Sequence, residues 1–240
     1  MANSVIYNRL FSKSKSKSKS KTMKGGSFNF NGLNLMNLIY KKKEFLILVF
    51  ANLIAQLGIT YYFMNKTDNP DIGFWPLFGI QIIIIFILAL VPMPPIVKFL
   101  IFGVFSYTFG IALSHLKDKY DPVLIDIAIK GALSIFGLMM TLGVVLVGGG
   151  IHLGYKFGAF LFWALLALII ARLINMVGPQ LSAAKKVFAY IGLGLFSLFV
   201  VYDTNQILSR DYAGDFITAS MDYYLDILNL FTNLLSLNDN

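Results

Sequence analysis

Seven stretches of this sequence are each long and apolar enough to cross a lipid bilayer, and little chain is left between them. They run over residues 45–64, 74–91, 96–115, 122–147, 157–175, 186–208 and 216–237. A helical crossing of the hydrocarbon core takes about 20 mostly apolar residues. The breaks are sharp: "NKTDNPD", "PMPP", "KDKYDP", "GGGIH", "NMVGPQ" and "SRDYAGD". In lipid every backbone polar group must be satisfied internally, so only helices and closed barrels can span. The runs are continuous and do not alternate apolar with polar, which selects helices over a β-barrel. Composition agrees. The chain is 57% hydrophobic and 13% charged, where a soluble domain carries about 25% charged residues. The expected fold is an all-α integral membrane protein, a seven-helix transmembrane bundle forming one domain over residues 45–240. With no cysteine, disulfides and thiolate metal sites are excluded.

The formal charge of +8 does not indicate nucleic-acid binding, because it is confined to one end. Residues 1–44 carry ten Lys or Arg and one acid, while residues 45–240 carry ten and eleven. The tail includes "SKSKSKSKSK" from Ser12 to Lys21, which cannot bury apolar area and is expected to be disordered. It is no signal peptide, since the first long apolar run starts only near Phe45. A basic segment before the first helix predicts a cytoplasmic N-terminus. Near a membrane it also adds on the order of 1 kcal/mol of attraction to anionic headgroups per basic residue.

Ionisable groups within the apolar runs are costly and usually face the bundle or a water-filled cavity. Asp126 and Lys130 are four apart and are read as a local pair on one helix face. Arg172, late in the fifth run, is read as snorkelling to the interface. In the seventh run Asp222, Asp226, Asn229, Asn233 and Ser236 fall within an arc of about 80° at helical pitch. Amides and hydroxyls would suffice to glue helices together. Two carboxylates in the stripe favour a lining for water, protons or cations. Asp203 lies late in the sixth run, and a short loop makes the sixth and seventh helices antiparallel neighbours. Asp222 or Asp226 is then within reach of Asp203, with Gly192 on the same face allowing close approach. Two carboxyl groups in contact cannot both ionise cheaply, so they share a proton and titrate as a unit.

"GLGLFSLFVVYDTNQIL" followed by "DFITASMDYYLDILNLFTNLL" closely resembles the last two helices of the transmembrane Bax inhibitor motif family, which includes Bax inhibitor-1-like, Lifeguard and Golgi anti-apoptotic proteins. The "FLIFGVFSYTFGIAL" segment agrees more loosely. The resemblance implies a seven-helix fold with the last helix central. It also implies a buried aspartate pair, which falls on Asp203 of "VYDTNQ" and Asp226 of "YYLDILNLF". The implied activity is a pH-sensitive calcium leak across a cellular membrane, with suppression of cell death in some members. Asp222 stands where the family usually has a neutral residue, and the family's glutamine falls on Asn205 or Gln206.

On this reading Asp203, Asp226 and Asp222 form the ion pathway and pH gate. Asn229, Asn233 and Gln206 are candidate polar lining, and Asp203 and Asp226 are transient ligands of calcium, the transported ion. No cofactor and no enzymatic activity are expected. The expected partners are membrane lipids, calcium and protons, with other membrane proteins as a further class and no nucleic acid. The expected location is the endoplasmic reticulum or Golgi membrane in a eukaryotic or viral setting, and the plasma membrane in a bacterial one. The second reading is a non-conducting adaptor that regulates cell death by binding other membrane proteins. An intramembrane aspartyl protease is disfavoured, because "DYAGD" lacks the first glycine of "GxGD". A metal-dependent hydrolase would need clustered ligands, and His115 and His152 fall in loops on opposite sides.

Overall fold

The computed structural model describes residues 31–68, 70, 72–177 and 182–237. Among them all regular structure is helical: α1 Gly32–Lys66, α2 Phe74–Leu90, α3 Pro95–Ser114, α4 Pro122–Gly148, α5 Tyr155–Val177, α6 Ser182–Ser209 and α7 Phe216–Leu237. The Ser/Lys stretch of the tail lies outside the described residues.

The helix boundaries follow local chemistry. Pro95 and Pro122 each occupy the first turn of their helix, where a missing N–H costs nothing. Asp121 caps α4 by accepting from the Val123 N–H at 2.7 Å. A glycine run ends α4, with Gly150 at φ 75°. Asp215 caps α7 by accepting from the Thr218 N–H at 3.0 Å. Just before it, the turn from α6 passes through Ala213 and Gly214 at φ 51° and 81°.

One boundary corrects the sequence reading. The sequence puts the start of the helical domain at residue 45, after a basic tail over residues 1–44, yet α1 starts at Gly32. Leaving the lipid does not end a helix, because Lys41, Lys42 and Lys43 are good helix formers. Asn31 caps this extension by accepting from the Asn34 N–H at 3.1 Å, and its own N–H bonds the Gly148 carbonyl at 3.0 Å. The start of α1 and the end of α4 therefore share one end of the bundle, called here the near end.

α7 is the central helix. It packs against α6, α4, α1 and α3, while α2 lies outside α3 and α5 outside α6. Its buried side chains run from Ile217 to Leu235 around most of its circumference. Tyr224, with no solvent exposure, meets the edges of Phe102 and Phe105 from α3. The outer surface is apolar in turn: Ile83, Phe86 and Trp163 all stand exposed. A soluble protein does not expose apolar residues over such a breadth, and lipid is the solvent that fits. Five helices, α1 and α3 to α6, are long and apolar enough to cross a membrane. α2 is shorter at 17 residues. α7 has the length, at 22 residues, but falls outside those five because Asp222, Asp226, Asn229 and Asn233 lower its mean hydropathy.

Candidate functional site

The antiparallel packing of α6 and α7 brings Asp203 and Asp226 together, with their carboxyl groups in hydrogen-bonding contact. Asp226 is 4% exposed, and its Oδ2 is buried with no hydrogen-bond donor against it. Asp203 is half-buried. Among the described residues no Lys or Arg forms an ion pair with either. Asp222 lies one turn nearer the near end, with the Tyr212 hydroxyl of the α6–α7 turn close to it. The three acids thus form a cluster extending inward from the near end, with Asp226 deepest.

The proposed polar lining is placed differently from the carboxyl pair. Asn229 donates to the Leu225 carbonyl of its own helix at 2.7 Å, and Asn233 to Asn229 at 2.7 Å. Gln206 donates to the Leu153 carbonyl at 2.6 Å. Asn205 beside it accepts from the Leu153 N–H and donates to the Ile151 carbonyl, both at 2.8 Å. Both amides, and so either match to the family's glutamine, pin the α4–α5 loop against α6. His152 in that loop bonds Ser209 at 2.9 Å, whereas His115 sits at the far end of α3.

Arg172 does not snorkel. Its guanidinium turns inward and donates to the Phe188 carbonyl at 2.9 Å and to Asn233 Oδ1 at 2.5 Å. The space for this is made by Gly192, where any Cβ would overlap Asn233 and Arg172. An amide oxygen and a helix carbonyl inside the bundle satisfy the guanidinium where lipid could not. The close approach read at Gly192 is therefore real, but it serves the Arg172–Asn233 contact instead of Asp203. Asp126 and Lys130 do pair, at 2.6 Å, and both stand on the outward face of α4.

Two clusters escaped the sequence reading. At the near end Lys98 of α3 bonds Asp215 and Thr218, each at 2.5 Å. They border an open cleft of about 400 Å³ between the α2–α3 turn and the α6–α7 turn. Burial opposes the Asp215 charge, but hydrogen bonds from Lys98 and Thr218 outweigh it and hold the carboxyl below its ordinary 3.8. A depressed carboxylate contributes stability above its unfolded value and loses it as pH falls through the folded one. The Tm gap between wild type and Asp215→Asn in detergent should therefore be widest near neutrality and shrink below about pH 3.8. A gap that stays constant down to acid pH would contradict this.

The second cluster binds α1, α3 and α7 through fully buried groups. Asn52 donates to Ser220 at 2.5 Å and Gln56 to Asn52 at 3.2 Å. Ser106 donates to Gln56 at 2.8 Å, and Thr60 shares a 2.5 Å hydrogen bond with Tyr224. Its signal in the sequence was the i, i+4, i+8 spacing of Asn52, Gln56 and Thr60 inside the first apolar run.

Comparison with known proteins agrees with this architecture. Residues 38–239 match the family described as "Inhibitor of apoptosis-promoting Bax1". Bax inhibitor 1 of Schizosaccharomyces pombe is 28% identical over 212 residues, covering 82% of this chain and 76% of that protein. Protein LIFEGUARD 1 of Arabidopsis thaliana is 29% identical over 138 residues, 56% of this chain. That match spans about half, 55%, of the length of LIFEGUARD 1. The Golgi anti-apoptotic protein of Vaccinia virus (strain Lister) is 38% identical over 82 residues, 34% of each chain. The family match runs through all seven helices, so this multi-pass membrane protein belongs to the Bax inhibitor family.

Proposed function

We propose that this protein is a non-enzymatic, membrane-embedded regulator of cell death that acts as a pH-sensitive calcium leak. The anti-apoptotic part rests on the family and on relatives named Bax inhibitor 1 and Golgi anti-apoptotic protein. The leak rests on one observation above all: two carboxyl groups in contact inside a bundle that spans lipid, with no Lys or Arg among the described residues paired to them. Such a pair shares a proton. In the protonated state a carboxyl–carboxylate hydrogen bond ties α6 to α7 and closes the path. Loss of the proton leaves two negative charges that repel, separate the helices and attract a cation. Calcium suits them, being a hard ion that takes oxygen ligands. Two carboxylates make a weak site, which favours passage over storage. Asp222 adds negative charge on the approach from the near end.

Calcium flux into liposomes containing the purified protein alone tests this across a pH series. Flux that rises as pH is raised from about 5 to 8 is expected, because loss of the shared proton is the step that opens the path. Pure protein that passes no calcium at any pH would turn the reading to the non-conducting adaptor.

The basic tail favours a cytoplasmic near end, which would put the acid cluster and the Lys98–Asp215 cleft on that side. The chain has no cysteine, so one introduced at Ser16 is the only label site. It should react with impermeant maleimide from the cytoplasmic face of sealed membranes, and labelling only from the opposite face would invert the assignment.

A further inference from the structure

On the flank of α7 turned away from Asp203, an apolar groove of about 310 Å³ opens on the outer face of the bundle between α1 and α4. Leu57 and Gly58 form one wall, Ile129 and Leu133 the other, and Ile227 and Phe231 of α7 the floor. The groove lies within the spans of α1 and α4, so bilayer hydrocarbon is the medium that meets it. Close-packed interiors leave few such spaces, and an unfilled one forfeits its dispersion contacts. Gly58 widens it: a Cβ at that position would meet nothing within 4 Å.

A second feature stands beside the groove. Asp126 and Lys130 pair on the outward face of α4, with side chains 57% and 72% exposed. Charges inside a span normally turn into the bundle, yet these face lipid one and two turns from the start of α4. With Leu133 they occupy positions i, i+4 and i+7, so they share a helix face with the groove wall. Helical side chains lean toward the helix N-terminus, which carries the ammonium toward the far-end interface. A cation and an anion side by side at headgroup level, above an apolar slot, match the two charges and one chain of a zwitterionic phospholipid.

We propose that this groove is a binding site for a zwitterionic phospholipid of the far-end leaflet. One acyl chain lies in the groove against Ile227 and Phe231. Lys130 takes the phosphate, and Asp126 takes the headgroup ammonium. Because Ile227 adjoins Asp226 in sequence, the bound chain touches the central helix directly behind the acid cluster. The site does not depend on whether the protein conducts calcium.

Photolabelling tests it, using the full chain in phosphatidylcholine liposomes doped with phosphatidylcholine that carries a diazirine on one acyl chain. Labelling on the peptides holding Gly58 and Leu133 should exceed that on the lipid-facing surface of α2, around Phe86, by about tenfold, the ratio for 1.4 kcal/mol of preference. Gly58→Leu fills the groove and should bring its labelling down to the α2 level. If that variant does not fold, Leu133→Trp at the exposed rim closes the same groove. Lys130→Gln with Asp126→Asn should keep acyl labelling but abolish the preference for the phosphatidylcholine probe over a diacylglycerol probe. Groove labelling no greater than that of α2 in the wild type would overturn the proposal. So would a crosslink between two copies through residue 58 or 133, which would assign the groove to a second chain.

Discussion

Asp203→Asn or Asp226→Asn is expected to abolish the pH response of calcium flux while leaving the bundle folded. A single shared proton can change the closed population by up to about tenfold per pH unit on the closed side of its titration. Either amide removes that proton, so flux should vary by less than about twofold between pH 5 and 8. The amide is close in size to the carboxyl, and the contact between Asp203 and Asp226 can persist as an ordinary hydrogen bond. The double variant should behave like either single one, because both break the same unit and their effects do not add. Asp222→Asn separates the gate from its surroundings. Asp203 and Asp226 meet each other without Asp222, so this variant should keep a pH-dependent flux. Single variants at 203 or 226 that retain the full wild-type response would remove the pair from the mechanism.

Periodicity shows which residues share a face, but not what that face meets. The stripe in the last apolar run could be read from 100° spacing, and Asp226 does meet Asp203 across the α6–α7 contact. The short loop was enough to locate that contact, because a hairpin of helices fixes which levels face each other. Asn233 belongs to the same stripe and yet meets Arg172, because a fifth helix approaches where Gly192 leaves room. That approach is a tertiary event with no local signature. Arg172 looked like an interfacial residue for the same reason: nothing near it in sequence offers an acceptor. Gln206, a candidate for the lining, has its carbonyl partner in a loop more than 50 residues away, which no local pattern shows. The start of α1 was misplaced because hydropathy marks where lipid ends, and the helix runs on past that point.

Gly110→Ala is expected to cost the fold more than any other single methyl addition at a helical glycine of the α1–α3 contact. A Cβ at residue 110 would sit 2.6 Å from the Thr60 carbonyl oxygen and 2.9 Å from Phe63 Cβ. The nearest atom is backbone, so no rotamer change can make room, and α3 must move away from α1. Overpacking of this kind costs about 1–3 kcal/mol. The displacement also strikes the buried polar cluster, because Thr60 donates to the Ser106 carbonyl at 3.1 Å and bonds Tyr224 at 2.5 Å. A buried polar group left unpaired adds about 1–3 kcal/mol. Two other glycines calibrate the test. At Gly137 a Cβ meets nothing within 4 Å, so alanine there should be neutral or gain up to about 1 kcal/mol of helix propensity. At Gly158 the obstruction is the far end of the Tyr202 side chain, which can swing aside, so the loss should be small. Thermal unfolding in detergent should therefore rank Gly110→Ala lowest, Gly158→Ala between, and Gly137→Ala at or above wild type. A Gly110→Ala protein as stable as wild type would refute the tight α1–α3 contact. The same variant probes the gate. Ser220 and Tyr224 lie on the side of α7 opposite Asp226, so their bonds to α1 and α3 hold the back of the central helix still. Under the proposed gate, charge repulsion between Asp203 and Asp226 would then move α6 away from a fixed α7. Loosening the back of α7 should raise calcium flux at acid pH, where the intact protein is closed.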